Sequence, residues 1–217
     1  TRVAGPNVVT REQARIAVET PRYTSVAVVE GGEIDDAAAR AHAAAIIAET
    51  KPKAVISVER SGLTKDGTYR NARGEDYSEG RARLDHVVLE AAKTGIPTIG
   101  IGDGGNEIGM GAIPEAVAAH IPHGEVLCSE IATDVLYPVG VSNWGCYAVV
   151  AALAVMTGNE DLIHTPDLER RLLEASPQIG LVDGTSGRLE PTADGLPLST
   201  HMGLVELLQT TAQRAIR

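Results

Sequence analysis

The sequence predicts an α/β fold: a mainly parallel sheet flanked by helices, Rossmann-like and three-layered, with a small antiparallel addition near the C-terminus. Three observations predict it. Strand-like and helix-like segments alternate along most of the chain, the order that builds βαβ units. KAVISV (53–58) is a short apolar run of the buried-strand type, and IPTIGI (96–101) is a second strand. The chain has 217 residues with 43% hydrophobic content, enough for one real core. It therefore reads as a single domain, 1–217.

The elements follow in order. TREQARIAVETP starts at Thr10, a good N-cap, and stops before Pro21, which predicts a helix. YTSVAVVE (23–30) is rich in β-formers. DDAAARAHAAAIIAET (35–50) is Ala-rich and helical, with Asp35 or Asp36 at its start. EGRARLDHVVLEAAKTG (79–95) reads as an amphipathic helix closed by Gly95. IPEAVAAHI (113–121) reads as a short helix, and the stretch after it has no clear pattern. SNWGCYAVVAALAVMTG (142–158) is apolar nearly all round, the mark of a buried helix. PDLERRLLEAS (166–176) is a helix with Pro in its first turn, and 200–217 is a last amphipathic helix.

Composition excludes several classes. Nineteen Lys+Arg against 29 Asp+Glu give a charge of −10 with no basic run, so nucleic acid is not the expected partner. Two cysteines, Cys128 and Cys146, are too few for a disulfide scaffold, and no spacing suggests zinc. They read as reduced core residues of a cytoplasmic protein, or one of the mitochondrial matrix in a eukaryote. The longest apolar run (146–157) is too short for a bilayer, and no signal peptide is visible. The first residue is not Met, so a fragment or processed product is expected. The Ala-rich helices suit either a core or a homo-oligomer interface.

GIGDGGNEIGMG (100–111) has glycine at six of twelve positions, with Asp103, Asn106 and Glu107 among them. It follows a strand, where ligands bind in parallel sheets. It fits G-x-G-x-x-G at Gly100, Gly102 and Gly105, but Asp103 would repel a pyrophosphate, and the acid due about 20 residues later falls near Glu125, before an apolar run. It also resembles the metal-binding G-D-G-x-N-D motif of haloacid-dehalogenase-type phosphatases. Their nucleophile has no counterpart, since Thr64 opens the nearest match, TKDGT. What survives is that Asp103 and Glu107 could hold a divalent cation, Mn²⁺ or Mg²⁺. A plain turn needs one or two glycines, so a functional loop is the better reading.

ERSGLTKDGTYRNARGEDYS (59–78) follows the first of these strands and is long for a connection. Its Arg60, Arg73, Tyr69 and Asn71 suit a small ligand bearing carboxylates, which an Arg fork grips in pairs. Glu59 and Arg60 stand at the strand's end, where function is expected. Lys65, Asp66, Glu75 and Asp76 read as solvated surface charges. Ser142 reads as a helix N-cap, with Asn143 and Trp144 facing a ligand. Asp183-Gly184-Thr185-Ser186-Gly187 reads as a turn, and His201 as a packing residue.

SVERSGLTKDGTYRNARG, GIGDGGNEIGMG, VSNWGCYAVVAAL and DGLPLSTH occur in the order of the C-terminal domain of D-glutamate cyclases, and over 35–217 the chain resembles that family. The family has E-R-P-G where Glu59-Arg60-Ser61-Gly62 stands here. It usually carries one more strand–helix unit upstream, which is not found in this sequence, so a fragment or a shortened member is expected. The resemblance implies a carbon–oxygen lyase that dehydrates D-glutamate to 5-oxo-D-proline. The residues themselves suggest Glu59, Asp103 and Glu107 as acid, base or metal ligands. Arg60 or Arg73 would take the α-carboxylate, supported by Tyr69 and Asn71, with Gly104, Gly105, Asn106 and Asn143 also facing the substrate. The competing readings are a non-catalytic domain binding an acidic amino acid or a nucleotide, and a metal-dependent phosphatase.

Overall fold

The computed structural model describes residues 32–216. The helix expected from Thr10 and the strand expected at 23–30 lie outside them. The described residues fall into two compact units, Gly32–Gly145 and 146–216.

In the first unit, β1 (Val55–Val58), β2 (Thr98–Gly102) and β3 (Val135–Pro138) form a parallel sheet in that spatial order. Ser57 pairs with Gly100 and Gly100 with Leu136, so these residues share one face with Val55. Helix α2 (Asp85–Lys93) covers that face through Val88, which clusters with Ile108, Ile131 and Val55. Helix α1 (Asp36–Thr50) packs on α2 and is capped by Asp35, whose Oδ1 accepts the Ala38 N–H at 2.9 Å. Beyond β2, α3 (Pro114–His120) and α4 (Gly124–Leu127) build a second cluster around Met110, Val117 and Leu127. Ile101 lies on the opposite face. There Gly145 of α5 (Ser142–Thr157) comes so close that a Cβ would stand 2.6 Å from the Ile101 side chain.

Three expectations need correction. The α2 helix begins at Asp85, because the backbone before it is bonded elsewhere: Arg60 donates to the Ala82 carbonyl, and the Arg81 N–H donates to Ser78 O at 3.0 Å. Strand β3 stands in the stretch that has no clear sequence pattern, since its four residues are few and end on a proline. Helix α5 is not buried all round: Met156 is 81% exposed and Leu153 is exposed too, while Ala151 and Ala154 face inward.

In the second unit, Ala151, Ala154, Ile163 and Ala212 form the core. Helix α6 (Pro166–Ala175) has Pro at its first turn, as expected, and Thr165 caps it. The antiparallel addition is a hairpin of β4 (Thr192–Ala193) and β5 (Leu196–Pro197), which leads into α7 (Leu198–Ile216). Asp194 and Gly195 between the strands have φ of 52° and 72°, as a two-residue type I′ turn requires. Glu169 is fully buried and accepts from the Tyr147 hydroxyl at 2.8 Å and the His164 ring at 2.8 Å, with those two rings stacked. Glu169→Ala removes a buried acceptor that both groups share, so unfolding by denaturant should show a loss of about 3 kcal/mol or more. Among the described residues, no helix is long and apolar enough to cross a membrane.

Candidate active site

The chain leaves β1 and β2 at the same end of the sheet, and the two loops there bind each other. Glu59 ends β1 in the left-handed region, with φ of 47° and its N–H donated to Ile101 O at 2.9 Å. That conformation is uncommon outside glycine and clusters at functional positions. The Ile108 N–H then donates to Arg60 O at 2.8 Å and the Gly62 N–H to Asn106 O at 3.0 Å. The Asn106 amide closes the junction, donating to Arg70 O at 2.7 Å and Ser61 Oγ at 3.2 Å.

Inside the glycine loop, Glu107 turns back on its own backbone. Its Oε1 accepts the N–H groups of Asp103 at 3.0 Å and Gly104 at 2.7 Å. Gly102 makes room for this, since a Cβ there would stand 2.9 Å from Glu107 Cβ and Cδ. Gly105 has a φ of 92°, and a Cβ there would meet Val117 at 2.8 Å, so both conformation and space demand glycine. Glu107 is only 3% exposed, and its Oε2 is buried with no hydrogen-bond partner. Burial pushes its carboxyl above the ordinary glutamate value; backbone N–H groups, its own among them, pull the other way, and the charge of Asp103 adds to the upward push.

Asp103 looks outward. Its Oδ2 accepts the Ser142 N–H at 2.7 Å and hydroxyl at 3.0 Å, which ties the glycine loop to the start of α5. Ser142 is thus a donor to Asp103, not the N-cap expected. Asn143 follows it, half-buried in the first turn. A cleft of about 210 Å³ opens here beyond the ends of β2 and β3, lined by Gly102, Asp103, Gly105, Met110, Pro138 and Val139 among others.

The other predicted residues take varied places. Tyr69 is buried, and its hydroxyl donates to Asp85. Burial, then this bond, raises its pKa well above the ordinary tyrosine value. Asn71 folds its own turn, accepting from the Arg73 and Glu75 N–H groups at 2.9 and 3.1 Å. Arg73 is exposed. Arg60 is half-buried over the Tyr69 ring at 5.8 Å, and its Nε is buried without a partner. Sequence reasoning misses Ser61, Tyr77 and Arg81. Ser61 and Tyr77 share a hydrogen bond through their hydroxyls, and the Arg81 guanidinium lies 4.4 Å over the Tyr77 ring. The signal available is their place in a long loop, which the structure continues to Leu84.

As donors to a cation, Asp103 and Glu107 are a pair of hard oxygen ligands, and one oxygen of each already accepts two hydrogen bonds. Among the described residues, no group of three His, Cys, Asp or Glu is arranged to hold a metal. Mg²⁺ or Mn²⁺ at this pair would need water and substrate to complete its shell.

A parallel α/β sheet with a polar double loop beyond the carboxyl ends of its strands defines the class. The sequence profile of the D-glutamate cyclase-like C-terminal family matches residues 6–209, and the chain belongs to that family. It is also 35% identical over 185 aligned positions to human "D-glutamate cyclase, mitochondrial", an alignment that takes in 73% of this chain. The chain matches 30% of that protein's length.

Proposed function

We propose that this chain catalyses the intramolecular dehydration of D-glutamate to 5-oxo-D-proline. The observation that carries the reading is the Asp103–Glu107 pair: two neighbouring carboxyls, one in the cleft wall and one buried with a raised pKa. The reaction needs both roles. The α-ammonium must lose a proton before its nitrogen can attack the γ-carboxyl carbon. A C–N bond then forms and a C–O bond breaks; in all the nitrogen gives up two protons, and the departing oxygen takes two to leave as water. Carboxyls in unlike environments divide such work. Asp103 takes the ammonium proton, and Glu107, whose burial favours its neutral form, gives one to the departing oxygen; the proton the nitrogen loses as the C–N bond forms supplies the second. Glu59 is a third carboxyl at the strand ends able to relay a proton. The N–H groups of Gly105 and Asn106, which donate to no described residue, face the developing oxyanion. Holding the substrate folded on itself is worth about 7–11 kcal/mol.

Supporting the reading are membership in a family named for this reaction and the relative's name. The test is to incubate the purified chain with D- or L-glutamate, with and without Mn²⁺ or Mg²⁺, and to follow 5-oxoproline by chiral chromatography. Product from the D-isomer alone is expected. A folded chain that binds D-glutamate and releases no product in any condition would instead be an acidic amino-acid binding domain.

A further inference from the structure

Two guanidinium groups in the loop after β1 make no ion pair with the described residues. No carboxylate of the described residues lies within ion-pair distance of Arg60 or Arg81, although Arg70 in the same loop pairs with Asp66 at 2.6 Å. Arg60 gives one Nη2 bond to Ala82 O, and its Nε is buried and unpartnered. Arg81 gives only its Nε, to Tyr77 O at 3.3 Å, so its two terminal nitrogens donate to no described residue. The two are physically linked: Arg60 adjoins Ser61, Ser61 bonds Tyr77, and the Tyr77 ring lies under Arg81. Burial works most strongly against the protonation of Arg60; Tyr69, Tyr77 and the Asp85 carboxylate favour it, and the positive charge of Arg81 opposes it least. Half-buried guanidinium groups with unused N–H donors and no ion-pair partner are costly, and a bound carboxylate would satisfy them. Asn106 joins this cluster to the glycine loop through Ser61.

We propose that Arg60 and Arg81 form a two-guanidinium seat for the substrate's α-carboxylate, with the hydroxyls of Ser61 and Tyr77 at its edge. The assignment rests on the cyclase reading above. It selects the α-carboxylate because that group passes unchanged into the product, while the γ-carboxyl is consumed. It takes Arg60 over its alternative Arg73, which is exposed in the Asn71 turn, and adds Arg81 as a second arm. The seat acts by binding and orientation: the α-carboxylate is held equally in substrate, transition state and product.

The test titrates wild type, Arg81→Ala and Arg81→Lys with 5-oxo-D-proline and with its primary amide by calorimetry, alongside D-glutamate kinetics and thermal melts. Wild type is expected to prefer the carboxylate over the amide by about tenfold or more. Arg81→Ala should erase that preference and raise KM about 10- to 100-fold with kcat changed little. Arg81→Lys keeps the charge but loses the planar fork, and should fall between. If Arg81→Ala does not fold, the lysine variant decides. Folded variants that keep the wild-type preference and KM overturn the seat, as does a wild type that binds the amide as well as the acid. A carboxylate preference lost in the variants, in a wild type that makes no 5-oxoproline, sustains the seat and sinks the cyclase reading.

Discussion

Glu107→Gln is expected to lower kcat about 10²- to 10⁴-fold, the usual weight of a positioned proton donor, while the protein stays folded. The amide oxygen can still accept the Asp103 and Gly104 N–H groups, so the loop keeps its internal bonds. The amide cannot surrender a proton to a departing oxygen. The pH dependence separates these two consequences. Folding raises the Glu107 pKa above the ordinary value of 4.5. Its neutral form therefore contributes stability that is complete below 4.5 and is lost as pH rises through the higher folded-state value. The glutamine variant has no carboxyl to ionise there and loses nothing over that range. It should therefore match wild type near pH 4.5 and gain on it in thermal melts as pH rises. In parallel, wild-type kcat/KM should fall on the alkaline side as the donor ionises. Full turnover in a folded Glu107→Gln protein would remove Glu107 from the chemistry and leave it a loop fastener.

Local pattern carries much of the fold. The α1 cap at Asp35, the β1 and β2 runs, and the Pro start of α6 are all encoded within a few residues, and the structure has them where the pattern puts them. The losses come where distant residues decide. The start of α2 depends on Arg60 taking the Ala82 carbonyl, 22 positions away in sequence. With that bond hidden, Arg81 looks like one face of a helix and drops out of the predicted site. The partner of Asp103 is Ser142, 39 positions on, so no local signal can show that this acid fastens α5. The glycines read as a surface open to a ligand. Several are instead small because Glu107, Val117 and the returning backbone occupy the space a side chain would need. The strand ends do mark the candidate site as a place, because parallel strands deliver their loops to one end whatever those loops contain.

Asp103→Asn carries the second large effect, and its partner variant Asp103→Ala shows which part is structural. Asparagine keeps an oxygen for the Ser142 N–H and hydroxyl, whereas alanine leaves both without an acceptor at the start of α5. Thermal melts should therefore place Asp103→Asn near wild type and Asp103→Ala clearly below it. Turnover should fall about 10²- to 10⁴-fold in both, because neither can take the ammonium proton. One further consequence ties the two acids together. The charge of Asp103 helps hold the Glu107 carboxyl protonated, so removing it should ease ionisation of Glu107 and bring its pKa down toward the ordinary value. Carboxyl ¹³C titration of Glu107 in wild type and Asp103→Asn reads this directly, whatever activity remains. A Glu107 titration that does not move would mean the two carboxyls do not sense each other. The division of acid and base between them would then lose its physical ground, even if each variant alone were inactive.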